Sequence, residues 1–261
     1  TPKPSSAASD VYKRQLRRRL REVGHWSEEP NLRRYLDLVT LGTVADIVPL
    51  TEENRILVKF GLEELRRSER PGIVALREIS GLGNGELTYG HVAFRLAPRV
   101  NAGGRMGREE LPLKLLLTGD RDEARALAQE LEEANRERQR VEEEIFKEAR
   151  RMIEGIDEER WSFVLCSEGW HPGVIGIVAS RIAEELWRPT ILVALDGEKG
   201  KGSARTVPPF HLYEGLLRCQ EHLLSFGGHR AAAGLKVARH KIDALREAFE
   251  EVVREALKEP P

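Results

Sequence analysis

At 261 residues the chain is long enough for two domains, and its 40% apolar and 33% charged composition predicts a packed, soluble protein. No apolar run approaches the ~20 residues of a membrane span, and no signal peptide is visible at the start. With 42 Lys and Arg against 43 Asp and Glu the net charge is −1, which excludes a global pull on nucleic acid and requires any polyanion site to be local.

The first 15 residues, small, polar and proline-rich from Thr1 to Ser9, read as a non-native or disordered tail outside the fold; if non-native, the start of the protein is expected further upstream. From Asn31 the pattern is helical. Leu32, Tyr35, Leu36, Leu38, Val39, Leu41 and Val44 predict a helix buried on most sides, stopped near Pro49. A second helix is expected from Glu52 or Glu53 to Leu65, with Ile56, Leu57, Phe60, Leu62 and Leu65 as its apolar stripe. Pro71 opens a third helix, Gly81 to Gly85 is a loop, and Thr88 caps a helix to Leu96. Proline and three glycines between Ala97 and Arg108 predict a loop, whose arginines make it a candidate phosphate site. Asp120 caps a long helix, with Glu123 placed for a capping box, running to about Ile153. Its middle, Asn135 to Arg140, is wholly polar, the pattern of a strut between two domains.

Beyond Gly155 strands alternate with helices. Strands are expected at 161–166, 189–195, 201–207 and 233–237, with helices at 172–186, 212–224 and 242–257, which predicts a small α/β domain. Cys166 and Cys219 offer neither a disulfide framework nor metal-ligand spacing and fit a reducing, cytoplasmic compartment. Three pieces of this half pair glycine with a cation or hydrogen-bond donor: Trp170 to Gly176, Lys201 to Arg205, and Phe226 to Gly234. Glycine lets backbone N–H groups approach a ligand, and Arg205, Ser203 and His229 suit phosphate oxygens. The three pieces are therefore expected to build one anion site.

Tyr35 to Leu50, Glu53 to Val58, Arg99 to Arg105, Trp170 to Gly176, Gly202 to Arg205 and Gly227 to His229 together resemble the RecJ family of the DHH phosphoesterase superfamily. The resemblance implies an α/β fold class: a mostly helical remnant of a DHH domain joined by a long helix to a smaller α/β DHH-associated C-terminal domain. The boundaries expected are a tail at 1–15, the DHH part at 16–118, the connecting helix at 119–154, and the associated domain at 155–261. It implies a 5′-to-3′ exonuclease that hydrolyses single-stranded DNA with two Mn²⁺ or Mg²⁺ ions in DNA repair and recombination. Asp46 is then a metal ligand and catalytic residue. Asn101, Arg105, His171, Ser203, Arg205, Gly227, Gly228 and His229 bind nucleic acid. The expected partner is the 5′ end of single-stranded DNA, with single-strand-binding protein a further partner, and the chain is expected to be a monomer.

The sequence departs from the family at the metal site. Of the family's metal-binding motifs it carries only the one ending in Asp46, and no Asp-His-His triplet occurs. One carboxylate cannot clamp two ions ~3.5–4 Å apart, so the chain alone is expected to lack nuclease activity. The family's downstream OB-fold is likewise expected to be absent from this stretch. Other readings are a DHH phosphodiesterase for short oligonucleotides or cyclic dinucleotides, a non-catalytic nucleic-acid or phosphate-binding module, and an interaction protein built on the long helix.

Overall fold

A computed structural model describes residues 15–26, 31–83, 85–157, 159–257 and 259. The expected tail at 1–15 lies outside these residues except for Gln15, which is helical. Backbone contacts divide the chain into two units, one of Thr1–Glu69 with Leu82–Phe94 and one of Arg70–Gly81 with Arg95–Pro261.

In the first unit α1 (Leu36–Ala45) follows a 3₁₀ turn at Leu32–Tyr35 and packs on α2 (Glu52–Arg67). The helices cross at Gly61, where a Cβ would meet Thr40 Oγ1 at 1.8 Å and the Leu36 carbonyl at 2.6 Å. The buried residues of α1 are Asp37, Thr40, Leu41 and Val44. Leu32, Tyr35 and Val39 are exposed, as are Ile56 and Phe60 of α2. The periodicity predicted burial on most sides of α1 and along that stripe, but the crossing covers one face of each helix only. Asp37 is held by Leu38 N–H at 2.8 Å and the Ser68 hydroxyl at 2.8 Å, so the buried carboxylate has partners. Thr88 caps the Tyr89–His91 turn, its hydroxyl accepting from His91 N–H at 3.2 Å.

The chain passes into the second unit within a π-helical turn, Val92–Leu96. The expected loop after it is instead a helix, α4 (Ala97–Arg105). Pro98 falls in its first turn, where a missing N–H removes no hydrogen bond. Gly103 allows close packing, since a Cβ there would stand 2.8 Å from the Pro112 ring. The earlier helix α3 (Pro71–Ile79), α4 and α5 (Glu110–Leu117) all pack on α6 (Arg121–Glu154). Asp120 caps α6 by accepting from Asp122 and Glu123 N–H groups at 2.9 and 2.8 Å. The Glu123 carboxylate takes the Thr118 hydroxyl instead of closing a capping box. Two stripes of α6 are buried, Ala124 to Asn135 against the other helices and Ile145, Phe146 and Ala149 in the core below the sheet. The polar middle is not wholly solvated, because Asn135 is buried and accepts from Arg138 at 2.8 Å.

The second unit also holds a five-stranded mixed sheet in the order β1-β2-β3-β5-β4, with β1 (Phe163–Ser167), β2 (Thr190–Asp196), β3 (Lys199–Arg205), β4 (Ser225–Gly228) and β5 (Ala232–Ala238). Only β1 and β2 are parallel, joined through α7 (Ile175–Leu186). One face packs Val164, Ile191, Val193, Ala204, Leu235 and Val237 against α8 (Leu212–Arg218) and α9 (Ile242–Leu257). The other packs Phe163, Leu165, Leu192 and Ala194 against α6 and α7. Strand β4 was unexpected from a Gly-Gly sequence of low strand propensity, and it forms by pairing with β5 at the sheet edge. Glu250 ties α9 to the entry of β1. Its carboxylate accepts from Trp161 N–H at 2.9 Å, Ser162 N–H at 2.9 Å, the Ser162 hydroxyl at 2.6 Å and Arg254 Nε at 2.7 Å.

Cys219 is fully buried in the α8–α9 core, and burial pushes its thiol from 9.0 up to about 11. Burial of the half-buried Cys166 also raises its thiol. Neutral Cys219 contributes stability that is complete below the unfolded value and is lost as pH rises through the folded one, so the window runs from about 9 to about 11. Folded protein at pH 8 carries about a hundredfold less Cys219 thiolate than unfolded protein. A chromogenic thiol reagent is expected to leave Cys219 unmodified until denaturant is added; full labelling of native protein at the unfolded rate would contradict the burial.

Candidate nucleic-acid interface

The anion chemistry of the second unit gathers where α4, α6, the 170–176 turn and β3 meet. Alternation along β3 puts Lys201, Ser203 and Arg205 on one face, the face that Leu192 and Thr190 share on β2. Arg205 Nη1 donates to Ser203 Oγ at 2.9 Å and to the Ala204 carbonyl at 2.8 Å. The guanidinium is therefore held against its own strand. Gly176, in the first turn of α7, completes the contact: a Cβ there would lie 3.0 Å from both Arg205 Nη2 and Ser203 Oγ. Gly173 is needed more strictly, since its Cβ would meet the Arg105 carbonyl at 2.0 Å. The glycines of the Trp170–Gly176 motif thus bring the α4 end and β3 together.

Arg105 and Arg205 are both half-buried, and each sits below the ordinary arginine range. For Arg205 the causes are burial and then the charge of Arg105. For Arg105 they are burial, then the charge of Arg138, opposed by Glu142. Glu142 pairs with Arg138 at 2.5 Å, and Asn135 takes another Arg138 N–H. Arg105 thus lies between two other guanidiniums, and the carboxylate near it, Glu142, is engaged by Arg138. Like charges held together out of water cost free energy that a bound anion would recover. Arginine matches phosphate oxygens with paired hydrogen bonds, and Ser203 adds a hydroxyl.

His171 and His229 share a geometry. His171 Nδ1 accepts from Gly173 N–H at 3.1 Å, and His229 Nδ1 accepts from Ala231 N–H at 3.3 Å. A ring nitrogen that accepts is unprotonated in the neutral imidazole, so this bonding pattern assigns the proton of each ring to Nε2, as a donor. Gly227 pairs with Gly234 and Gly228 with Ala233 at the sheet edge. Gly228 has no room for a side chain, because a Cβ would lie 2.4 Å from the Ala232 carbonyl. His229 follows and donates its N–H to that carbonyl at 2.9 Å, while Ala232 pairs with Arg205 across the next strand. The three glycine–cation pieces therefore belong to one sheet and the turn packed on it.

Asn101 lies one helical turn before Arg105 on α4, half-buried. Arg99, from the same expected loop, is committed to the helices, with its Nε 2.7 Å from Glu132. Asp46 is exposed at the C-cap of α1 in the first unit, where its N–H donates to the Gly42 carbonyl. Among the described residues no three His, Cys, Asp or Glu side chains come together as a metal site. The described residues therefore do not by themselves fit a divalent pair. Arg138 was not singled out in the sequence. Its signal was the Asn135, Arg138, Glu142 spacing, which places all three on one helix face.

A DHHA1 domain matches residues 161–255, the sheet and the helices that pack on it. The chain is 41% identical over 226 residues to the single-stranded-DNA-specific exonuclease RecJ of Bacillus subtilis, covering 86% of this chain and 29% of that protein. It is 39% identical over 256 residues to the RecJ of Escherichia coli K12, covering 93% and 44%. Over most of its own length the chain is RecJ-like. A crystal structure of Thermus thermophilus RecJ with Mg²⁺ superposes with a TM-score of 0.81 at 38% identity, covering 90% of this chain and 36% of that one. A manganese-bound exonuclease RecJ gives 0.74 at 40% identity, covering 86% and 56%. The chain thus spans less than half the length of the Bacillus subtilis and Escherichia coli relatives, and the metals belong to the two crystal structures. No helix among the described residues is long and apolar enough to cross a membrane.

Proposed function

We propose that this chain forms the strand-gripping part of a 5′-to-3′ exonuclease that hydrolyses single-stranded DNA. The observation that carries this reading is the half-buried Arg105–Arg205 pair, with Arg138 near Arg105, beside Ser203 and the turn that holds His171. Such a site takes a phosphate and fixes its orientation, while the glycines let the sugar–phosphate backbone come close. In this reading residues 16–118 are the DHH part, 119–154 the connecting helix and 155–261 the associated domain. Asn101, Arg105, His171, Ser203, Arg205, Gly227, Gly228 and His229 contact the strand. Asp46 supplies one carboxylate to a two-metal centre of Mn²⁺ or Mg²⁺ whose other ligands lie outside the described residues. Cytoplasmic DNA repair and recombination, a monomeric enzyme and single-strand-binding protein as partner complete the proposal.

The purified chain is expected to bind 5′-phosphorylated single-stranded DNA with an affinity that falls as salt rises. With Mn²⁺ added it is expected to leave end-labelled DNA intact. Salt-insensitive binding would remove the phosphate reading, and steady release of labelled mononucleotides would show a complete catalytic centre in this chain.

A further inference from the structure

The face that carries Ser203 and Arg205 continues along β3. Lys201 stands on it two residues earlier, and its register partner on β5 is Lys236. Two like charges directly opposite in an antiparallel pair repel each other. Both are exposed, and they share a cleft of about 570 Å³ with Trp170, Pro172 and Leu224. Of the acids on its rim, Glu168 is bound to Arg239, and Asp196 lies opposite Lys199, not opposite the lysine pair. The 170–176 turn borders the whole run, with Pro172 beside the lysines and Gly173 and Gly176 beside the arginines.

Between the two cationic positions the floor is glycine. Gly234 and Gly227 lie in one row with Ser203. A Cβ at either would meet nothing within 4 Å, and neither requires a positive φ. In β3 the glycines have a packing reason, since a Cβ at Gly200 would lie 2.4 Å from Val193 and one at Gly202 2.5 Å from Leu235. Gly227 and Gly234 have none among the described residues, although glycine weakens a strand. Close approach by something outside the chain accounts for them.

We propose that a single nucleic-acid strand lies along this face. One phosphate sits at Arg105, Ser203 and Arg205, the backbone crosses the bare floor at Gly234 and Gly227, and a later phosphate is held by Lys201 and Lys236. The proposal rests on the single-strand reading above and adds a second contact to it. Lys201 is four residues from Arg205, about 14 Å at ~3.4 Å per residue. That distance is spanned by about four stacked nucleotides at ~3.4 Å each, or by fewer when the strand is extended. The forked arginine fixes one phosphate, while lysines on flexible stems hold a later one with less orientation.

The test compares two 5′-phosphorylated, 3′-fluorescent DNAs, a dinucleotide and an oligomer of about twelve nucleotides, by anisotropy across a salt titration. The variants are Lys201→Ala with Lys236→Ala, Gly234→Thr, and Arg205→Ala. The lysine double variant is expected to bind the long oligomer about five- to tenfold more weakly, with a salt slope lowered by about 0.7 for the one phosphate the two lysines share, and the dinucleotide unchanged. Gly234→Thr is expected to melt no lower than wild type, because threonine suits a strand, and yet to lose long-oligomer affinity. Wild-type binding of the long oligomer by both variants, with Arg205→Ala weakening both DNAs, would overturn the second contact alone. No effect of Arg205→Ala on either DNA would overturn the underlying reading. Should Gly234→Thr fail to fold, the lysine variant, altered only at exposed side chains, decides by itself.

Discussion

Replacing Arg205 by alanine is expected to weaken binding of 5′-phosphorylated single-stranded DNA by about ten- to a hundredfold, the ~1.5–3 kcal/mol of a hydrogen bond to a charged group. The salt slope should fall by about 0.7, one phosphate on a single strand. Arg205→Lys should recover part of the affinity only, because an ammonium cannot make the paired contact. The same substitution separates a ligand-binding arginine from a structural one. Arg205 faces another half-buried guanidinium, and its hydrogen bonds go to its own strand neighbours. Removing it relieves like-charge crowding, so the thermal midpoint should hold or rise while affinity falls. A variant that melts earlier and binds DNA as wild type does would assign Arg205 to the scaffold.

The largest stability effect is expected at Glu250. Its buried carboxylate is the acceptor for two backbone N–H groups, a serine hydroxyl and an arginine, all where α9 meets the start of β1. Glu250→Ala leaves several of these donors without a partner in a site closed to bulk water. Each such donor costs about 1–3 kcal/mol, so a total near 3 kcal/mol is expected after local relaxation. Glu250→Gln keeps an acceptor oxygen and should lose roughly half as much. Urea unfolding followed by tryptophan fluorescence, to which Trp161 at the site contributes, reads the change. A midpoint shift of less than a few tenths of a kcal/mol for the alanine variant would show that water replaces the carboxylate.

Much of the second unit was legible because its signals are local. The Asp120 cap fixed the start of the long helix, and short strand-like runs set between helical segments placed four of the five strands. The departures have tertiary causes. Pro98 and Gly103 read as breakers, yet the first occupies a position that needs no donor and the second fits against Pro112. Strand β4 has almost no propensity of its own and exists because β5 offers an edge. Leu32, Ile56 and Phe60 follow a helical period but stay exposed, since periodicity names a face without naming what covers it. At the candidate site, residue type pointed to Arg105, Ser203, Arg205 and His229. The part of Arg138 depended on which helix face turns toward Arg105, and the lysine pair on strand register. Neither is written in a single segment.

The 34-residue helix α6 places a condition on how such chains can diverge. Its two buried stripes serve different neighbours, and Arg138 and Glu142 lie between them. Inserting one residue there would rotate everything downstream by about 100° and advance it by about 1.5 Å. Ile145 and Phe146 would swing away from the sheet. Seven extra residues would nearly restore the facing but add about 10.5 Å of separation. Gaps in homologous sequences should therefore collect in the connections on either side of this rod and be absent within it, as in a ruler whose length is part of its function.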